Sequence, residues 1–277
     1  MSAHARTALV TGASRGIGAA IAERLAAEGC EVALVARSLD SHPHLAGTLR
    51  ETSERIRSRG GRAIPLQADL SDPLARRRLI EEALGRLGHI DILVNNAAAA
   101  YYMPFERFSE KRLRIAFELN VRAPFELAQQ VVPEMRQRGR GWILNVSSSA
   151  AVHPTGPPFE SWSANSGELV HAMTKAALER FTTGLAAELH GSGIAVNALS
   201  PMAAVHTPGA AALGVIPADR PDLFEPVELI AEAALALCSG DPGTLTGRLA
   251  RTGPLLRELG RVVRTIDGSR ELVLDPA

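Results

Sequence analysis

The run Leu9-Val10-Thr11-Gly12-Ala13-Ser14-Arg15-Gly16-Ile17-Gly18 decides the fold. Apolar Ala8, Leu9 and Val10 lead into it, and the residues from Ala19 to Ala27 are almost all helix formers, so the stretch reads as strand, tight turn, helix. Gly12, Gly16 and Gly18 stand at i, i+4 and i+6. Residues without Cβ let the backbone come close to a pyrophosphate, and the unpaired N–H groups of a helix start, at the positive end of its dipole, face the anion. The spacing differs from the G-x-G-x-x-G of the standard dinucleotide fingerprint, so its meaning depends on the rest of the chain.

Ala19 to Glu28 reads as a helix closed by Gly29, and Val32 to Val35 as a continuous apolar strand of the kind buried on both faces. That strand ends in Ala36, Arg37 and Ser38, without the acidic residue that takes a ribose 2′-OH. Arg37, with Arg15 in the glycine turn, fits the 2′-phosphate of NADP in preference to NAD. His42, Pro43 and His44 fall in a polar loop, and with no third ligand nearby they make no metal site. A charged helix over Thr48 to Arg59 ends at Gly60 and Gly61, and Ala63 to Leu66 is a third strand. Asp72 and Pro73 cap and start the next helix, which leaves Asp69 at the strand's end for an adenine.

The fourth strand, Ile90 to Val94, runs into Asn95 and Asn96. Amides there either tie neighbouring strands together or hold a cofactor ribose, and spacing does not choose between them. Helical patterns over Ser109 to Leu119 and Val121 to Arg138 are interrupted at Asn120. Gly141 to Val146, the fifth strand, ends in Ser147, Ser148 and Ser149. The loop from Ala150 to Gly167, rich in Pro, Gly and Ser and carrying Phe159 and Trp162, is expected to wall a substrate. A long helix from Glu168 to Leu189 places His171 and Lys175 on one face. Ile194 to Leu199 is the sixth strand; a loop carrying Thr207, a helix over Pro226 to Cys238 and a last strand over Leu245 to Ala250 follow. The alternation predicts an α/β fold with a doubly wound, Rossmann-like parallel sheet whose ligands gather at the carboxyl ends of its strands.

No linker-like shift divides the 277 residues, so a single domain over 1–277 is expected, with substrate loops at about 150–167 and 202–222. Hydrophobic residues make up 46% of the chain, enough for a sizeable core, and the formal net charge is zero, which points away from nucleic acid or an anionic membrane as partner. Cys30 and Cys238 have no metal-type spacing and read as reduced, buried filler; with no signal-peptide or membrane-spanning run, a soluble cytoplasmic protein is expected. Lys111 and Lys175 are the only lysines in an arginine-rich chain, so the place of each is informative.

Thr11-Gly12-x-x-x-Gly16-x-Gly18, Asp69-Leu70, Asn95-Asn96-Ala97, Asn120, Ser148, Lys175 and Asn197 to Pro201, in this order and spacing, closely resemble the short-chain dehydrogenases/reductases of the classical type. The resemblance covers nearly the whole chain. It implies one Rossmann-like domain, a homodimer or homotetramer, that moves a hydride between a nicotinamide and a small-molecule carbonyl or alcohol. It would have Ser148 hydrogen-bond the substrate oxygen, Lys175 bind the nicotinamide ribose and Asn120 hold a water linking Lys175 to solvent. Gly12, Ser14, Arg15, Ile17 and Gly18 would contact the phosphates, Asp69 and Leu70 the adenine, and Thr207 the carboxamide. The chain departs from the family pattern in carrying His171 where the catalytic tyrosine stands, in Pro201-Met202 for the usual Pro-Gly with Thr207 displaced, and in a longer span from Ser148 to position 171.

Histidine starts near pKa 6.5, about 3.5 units below tyrosine, and positive neighbours push it lower still. At pH 7 it would be mostly neutral, a poor general acid and a reasonable base. Reduction is therefore expected to rise toward acid pH, and alcohol oxidation to be served at neutral or alkaline pH. Tyr101 or Tyr102 either supplies the missing phenol or lines the pocket. The alternative to an enzyme is a catalytically silent NADP(H)-binding protein, a sensor or scaffold.

Overall fold

The computed structural model describes residues 5–40, 46–208, 210 and 224–273, without the side chains of 162 and 163. Seven parallel strands form one sheet in the order β3-β2-β1-β4-β5-β6-β9: β1 is Thr7–Thr11, β2 Glu31–Ala36, β3 Arg62–Gln67, β4 Ile92–Asn95, β5 Gly141–Val146, β6 Ile194–Ser200 and β9 Leu249–Arg251. Side chains alternate across this sheet. Ala8, Val10, Ile92 and Val94 enter a core with Ile21 and Leu25 of α1 (Gly16–Ala27) and Ile230 and Leu237 of α8 (Val227–Leu237). Leu9 and Leu93 point the other way, into a core with Leu79 of α3 (Pro73–Leu87) and Leu127 and Val131 of α5 (Ala123–Arg138). With both faces covered, the strands can be apolar throughout, which is why each central strand reads as an unbroken apolar run.

β1 lies between β2 and β4, so the winding direction reverses at its carboxyl end and opens the crevice where such sheets bind ligands. Thr11 stitches this point: its Oγ1 donates to Val94 O (3.2 Å) and accepts from the N–H of Asn96 (2.9 Å) and Ala97 (3.1 Å).

Three details differ from the sequence reading, and a fourth, at Asn120, gives the form of an expected break. The Ala150 to Gly167 loop is not structureless: it opens with a 3₁₀ turn, Ser149–Ala151, and holds a short helix α6, Ser161–Asn165. The interruption at Asn120 is a π-turn over Glu118–Arg122 joining α4 (Glu110–Phe117) to α5. The last sheet strand begins at Leu249 rather than Leu245, because Asp241 to Leu245 closes as a turn whose Leu245 carbonyl accepts from Asn197 Nδ2. A two-stranded ribbon, β7 (Ala204–Val205) with β8 (Phe224–Glu225), and a helix α9, Thr252–Glu258, have no counterpart in that reading. His42, Pro43 and His44 lie outside the described residues, as do 209 and 211–222 of the expected 202–222 loop. Among the described residues no helix is long and apolar enough to cross a membrane.

Candidate functional site

A cavity of about 570 Å³ occupies the crevice at the end of β1, lined by the glycine turn, by Arg37 and Ser38 after β2, by Leu70 after β3, by Asn96 to Tyr101 after β4, and by Thr207. The turn is built for close approach. Gly12 and Gly16 have φ of +68° and +55°, where a side chain is strained, and a Cβ on Gly18 would collide with Asn96 Nδ2 and the Gly12 carbonyl. Asn96 Nδ2 donates to Thr11 O (2.9 Å) and Gly12 O (3.3 Å), fixing the turn to β4. On the far wall Ile115 and Leu119, four residues apart in the helical run that includes the π-turn, face the cavity. The sequence reading missed them, although the i, i+4 spacing was there to be seen.

In this cavity Arg15 Nη1 is buried with no partner among the described residues, and Arg15 Nε donates to Ser14 Oγ (3.3 Å). Burial, and then the nearby Arg37 guanidinium, hold Arg15 below its ordinary pKa. A buried unsatisfied guanidinium nitrogen facing a second cation is costly unless an anion joins them. This geometry fits a phosphate group beside Ser38.

Not every candidate lies on this cavity. Asn95 is buried within the sheet, its Nδ2 donating to Asn145 Oδ1 (2.9 Å) and its Oδ1 without a partner, so of the two readings for its amide the structure shows the strand tie. Asn96 acts as a tie and lines the cavity as well. Asp69 is exposed, and its Oδ1 accepts from the N–H (2.9 Å) and Oγ (2.7 Å) of Ser71, closing a turn beside the cavity without lining it.

Asn120, His171 and Lys175 are buried beside the half-buried Ser148 at the end of β5, and Asn120 meets the cavity wall through Ala99. On α7, Leu169–Glu188, the spacing His171, Thr174, Lys175, Leu178, Thr182 puts one stripe inside. Lys175 Nζ donates to Val146 O (2.6 Å) at the end of β5, two residues before Ser148. Ser148 Oγ accepts from Ala150 N–H (3.2 Å), and Ser147 Oγ donates to Glu179 (2.7 Å). Asn120 Oδ1 accepts from Ala99 N–H (2.8 Å), while its Nδ2 donates to Ala99 O and to Thr174 Oγ1 (both 2.9 Å). Its amide thus reaches α7 through Thr174, the residue before Lys175, and makes no direct bond to Lys175.

Burial lowers Lys175 to about 8, partly offset by the Glu179 carboxylate. His171 is 8% exposed, its Nδ1 has no partner among the described residues, and the Tyr102 ring lies 5.8 Å away, tilted by 35°. Its pKa falls to about 3, chiefly through burial and only secondarily through the Lys175 charge. The sequence argument rested on the charge alone, so it found the right direction and underestimated the depth. The acidic rise expected for reduction accordingly moves well below pH 5. Tyr102 offers no better acid: burial and the Glu168 carboxylate push its phenol up.

One stability consequence follows from linkage. The unfolded chain takes a proton on His171 below about pH 6.5, whereas the folded chain resists it down to about 3. Stability is therefore lost as pH falls through that window, by about 1.4 kcal/mol per pH unit. His171→Phe should flatten the decline of Tm between pH 6 and 4; an equally steep decline in both proteins would show that the imidazole is not held neutral.

A family model described as short chain dehydrogenase matches residues 6–214. The chain belongs to the short-chain dehydrogenase family. Human hydroxysteroid dehydrogenase-like protein 2 is 32% identical over 254 residues, 92% of this chain and 58% of that protein, so the chain spans little more than half the length of the curated relatives it matches. The crystal structure of a short chain dehydrogenase from Mycobacterium thermoresistibile is 31% identical, with a TM-score of 0.79 over 98% of this chain and 94% of that one. A short chain dehydrogenase from Burkholderia cenocepacia, solved in complex with NADP, is 29% identical with a TM-score of 0.73, covering 89% of this chain and 95% of its own.

Proposed function

We propose that this short-chain dehydrogenase is an NADP(H)-dependent oxidoreductase interconverting a ketone and a secondary alcohol, with His171 at the acid/base position. The observation that carries the cofactor reading is the buried Arg15 Nη1, without a partner among the described residues, in a glycine-lined cavity that Arg37 also lines. Arg15, Arg37 and Ser38 would hold the 2′-phosphate, and Gly12, Ser14, Gly16, Ile17 and Gly18 the pyrophosphate at the α1 start. Asp69, Leu70, Asn95, Asn96 and Thr207 complete the set proposed to surround it, Asn95 through the strand tie rather than by contact. NADPH, when bound, supplies the hydride.

The chain's own residues manage the oxygen and its proton. Ser148 would donate to the substrate oxygen. Lys175, still mostly an ammonium at pH 7, would bind the nicotinamide ribose and favour negative charge nearby, with Asn120 holding the α7 face in place through Thr174. A neutral imidazole at 171 gives up a proton poorly and can accept one, so the slow direction is reduction and the favoured one alcohol oxidation. We include in the proposal one working unit over the whole chain, assembled as a homodimer or homotetramer in the cytoplasm. The exposed apolar side chains Leu113, Phe117 and Phe125 on α4 and α5 support the assembly, and the free, buried Cys30 and Cys238 fit a reducing compartment.

The unpartnered Nδ1 of His171, closed in by Tyr102, favours a second reading in which the protein holds NADP(H) without turnover. Calorimetry with NADPH and NADH, followed by a panel of secondary alcohols and ketones, separates the two. The enzyme reading expects NADPH to bind more tightly and alcohol oxidation to be measurable above pH 7. Binding without turnover on any substrate supports the second reading, and binding of neither nucleotide removes both.

A further inference from the structure

Beyond the cavity, one carboxylate ties together three segments that the mechanism above leaves unconnected. The chain leaves β6 through Pro201, and the N–H groups of Met202 and Ala203 donate to Glu225 Oε2 at 2.9 and 3.4 Å. Thr252 Oγ1, at the start of α9, donates to the same oxygen at 3.0 Å. Directly after this anchor, Ala204 and Val205 pair with Phe224 and Glu225, and the His206 and Phe224 rings stand 5.5 Å apart. Two residues past the ribbon Thr207 rests on the glycine turn, where a Cβ on Gly16 would stand 3.0 Å from its Cγ2.

Glu225 is 7% exposed, and its Oε1 is buried without a partner among the described residues. A packing role alone would be filled better by an apolar side chain, since a buried carboxylate is expensive to desolvate. What an apolar residue cannot do is accept three donors on one atom and so fix the direction in which the chain leaves β6. Burial pushes the Glu225 carboxyl up, while the hydrogen bonds from Met202, Thr252 and Ala203 act in the opposite sense.

We propose that Glu225 is a positioning residue for the dinucleotide: by clamping Met202 and Ala203 it seats Thr207 against the glycine turn. The inference rests on the NADP(H) reading given above and adds a residue to it. Three variants test it: Glu225→Leu, which removes all three acceptor contacts; Glu225→Gln, whose amide oxygen can keep them; and Thr207→Val, which removes only the hydroxyl. Glu225→Leu should weaken NADPH binding about tenfold, with KM for NADPH rising more than kcat falls, and Glu225→Gln should restore most of the affinity. Amide exchange at 202–205 in the protein without nucleotide should rise in Glu225→Leu while the central strands stay protected. Because both residues act through one seat, the Glu225→Leu/Thr207→Val pair should bind no more weakly than the worse single variant. A Glu225→Leu protein with a lowered Tm but unchanged NADPH affinity, or a pair whose losses add, overturns the inference while leaving the NADP(H) reading in place. If the unaltered protein binds no NADPH, the reading fails, and this inference fails with it.

Discussion

His171→Tyr is expected to raise NADPH-dependent ketone reduction at pH 7 by about 10²- to 10⁴-fold, the range that a positioned general acid contributes. The imidazole now at 171 is neutral, since burial has driven it to about 3. Its remaining N–H can hydrogen-bond a developing alkoxide but hardly release a proton to it. A phenol at the same place starts near 10 and stays protonated at pH 7, so it has a proton to give; burial pushes it up, and the Lys175 ammonium, one helical turn away, acts in the opposite sense by stabilising the phenolate as the proton leaves. Removing the imidazole sacrifices little, because its Nδ1 has no partner and its ring meets Tyr102 at 5.8 Å. The gain should fade as pH rises through about 8, where Lys175 loses the charge that acidifies the phenol. Steady-state rates across pH 5 to 9, with NADPH affinity measured alongside, give the check. A variant that binds NADPH normally and reduces no faster would show that proton delivery at 171 does not limit the reaction. Activity appearing in an otherwise inert protein would favour the nucleotide-holding reading of the natural chain. If the unaltered protein oxidises alcohols and His171→Phe abolishes it, the imidazole is the working base.

The same residues show how far a sequence carries such an argument. The parallel α/β class and the glycine turn of the binding crevice were legible because both depend on short-range patterns: an apolar run such as Val32 to Val35 is buried on both faces, and glycines at 12, 16 and 18 mark a turn whose positive φ and close contacts admit little else. The fate of individual polar groups was not, because it is set by partners far along the chain. Asn95 meets Asn145 fifty positions away, and Glu225 meets Met202 and Thr252 across breaks in the sequence. Asp69 had a local competitor in Ser71, two residues on, and the turn it closes could have been anticipated from the Asp-x-Ser pattern. His171 lies between these cases. Its helix face and its proximity to Lys175 follow from a spacing of four, but the Tyr102 ring that stands 5.8 Å from it is brought in from beyond β4.

Arg15→Ala is expected to weaken NADPH binding by about 10- to 100-fold, the equivalent of one or two charge-assisted hydrogen bonds, while NADH affinity changes by no more than about threefold. On the proposed reading both nucleotides would meet the same glycine turn, so a loss confined to NADPH would come from the 2′-phosphate. Arg15 is the stronger candidate of the two arginines because its Nη1 is already buried and unpartnered, whereas Arg37 is exposed and free to turn into solvent. Arg37→Ala should therefore cost less than Arg15→Ala. The two guanidinium groups also repel one another before any ligand arrives, which is part of what lowers Arg15. Removing one relieves the other, so the double variant should lose more than either single variant but with losses that do not simply add. Raising ionic strength should weaken the NADPH preference of the unaltered protein and barely touch that of the double variant, since screening acts on the charges the variant lacks. Titration by NADPH fluorescence and calorimetry reads all of these affinities. Equal losses for NADPH and NADH in Arg15→Ala would place the guanidinium on the pyrophosphate instead, and the preference for NADP would then need a different origin within the crevice.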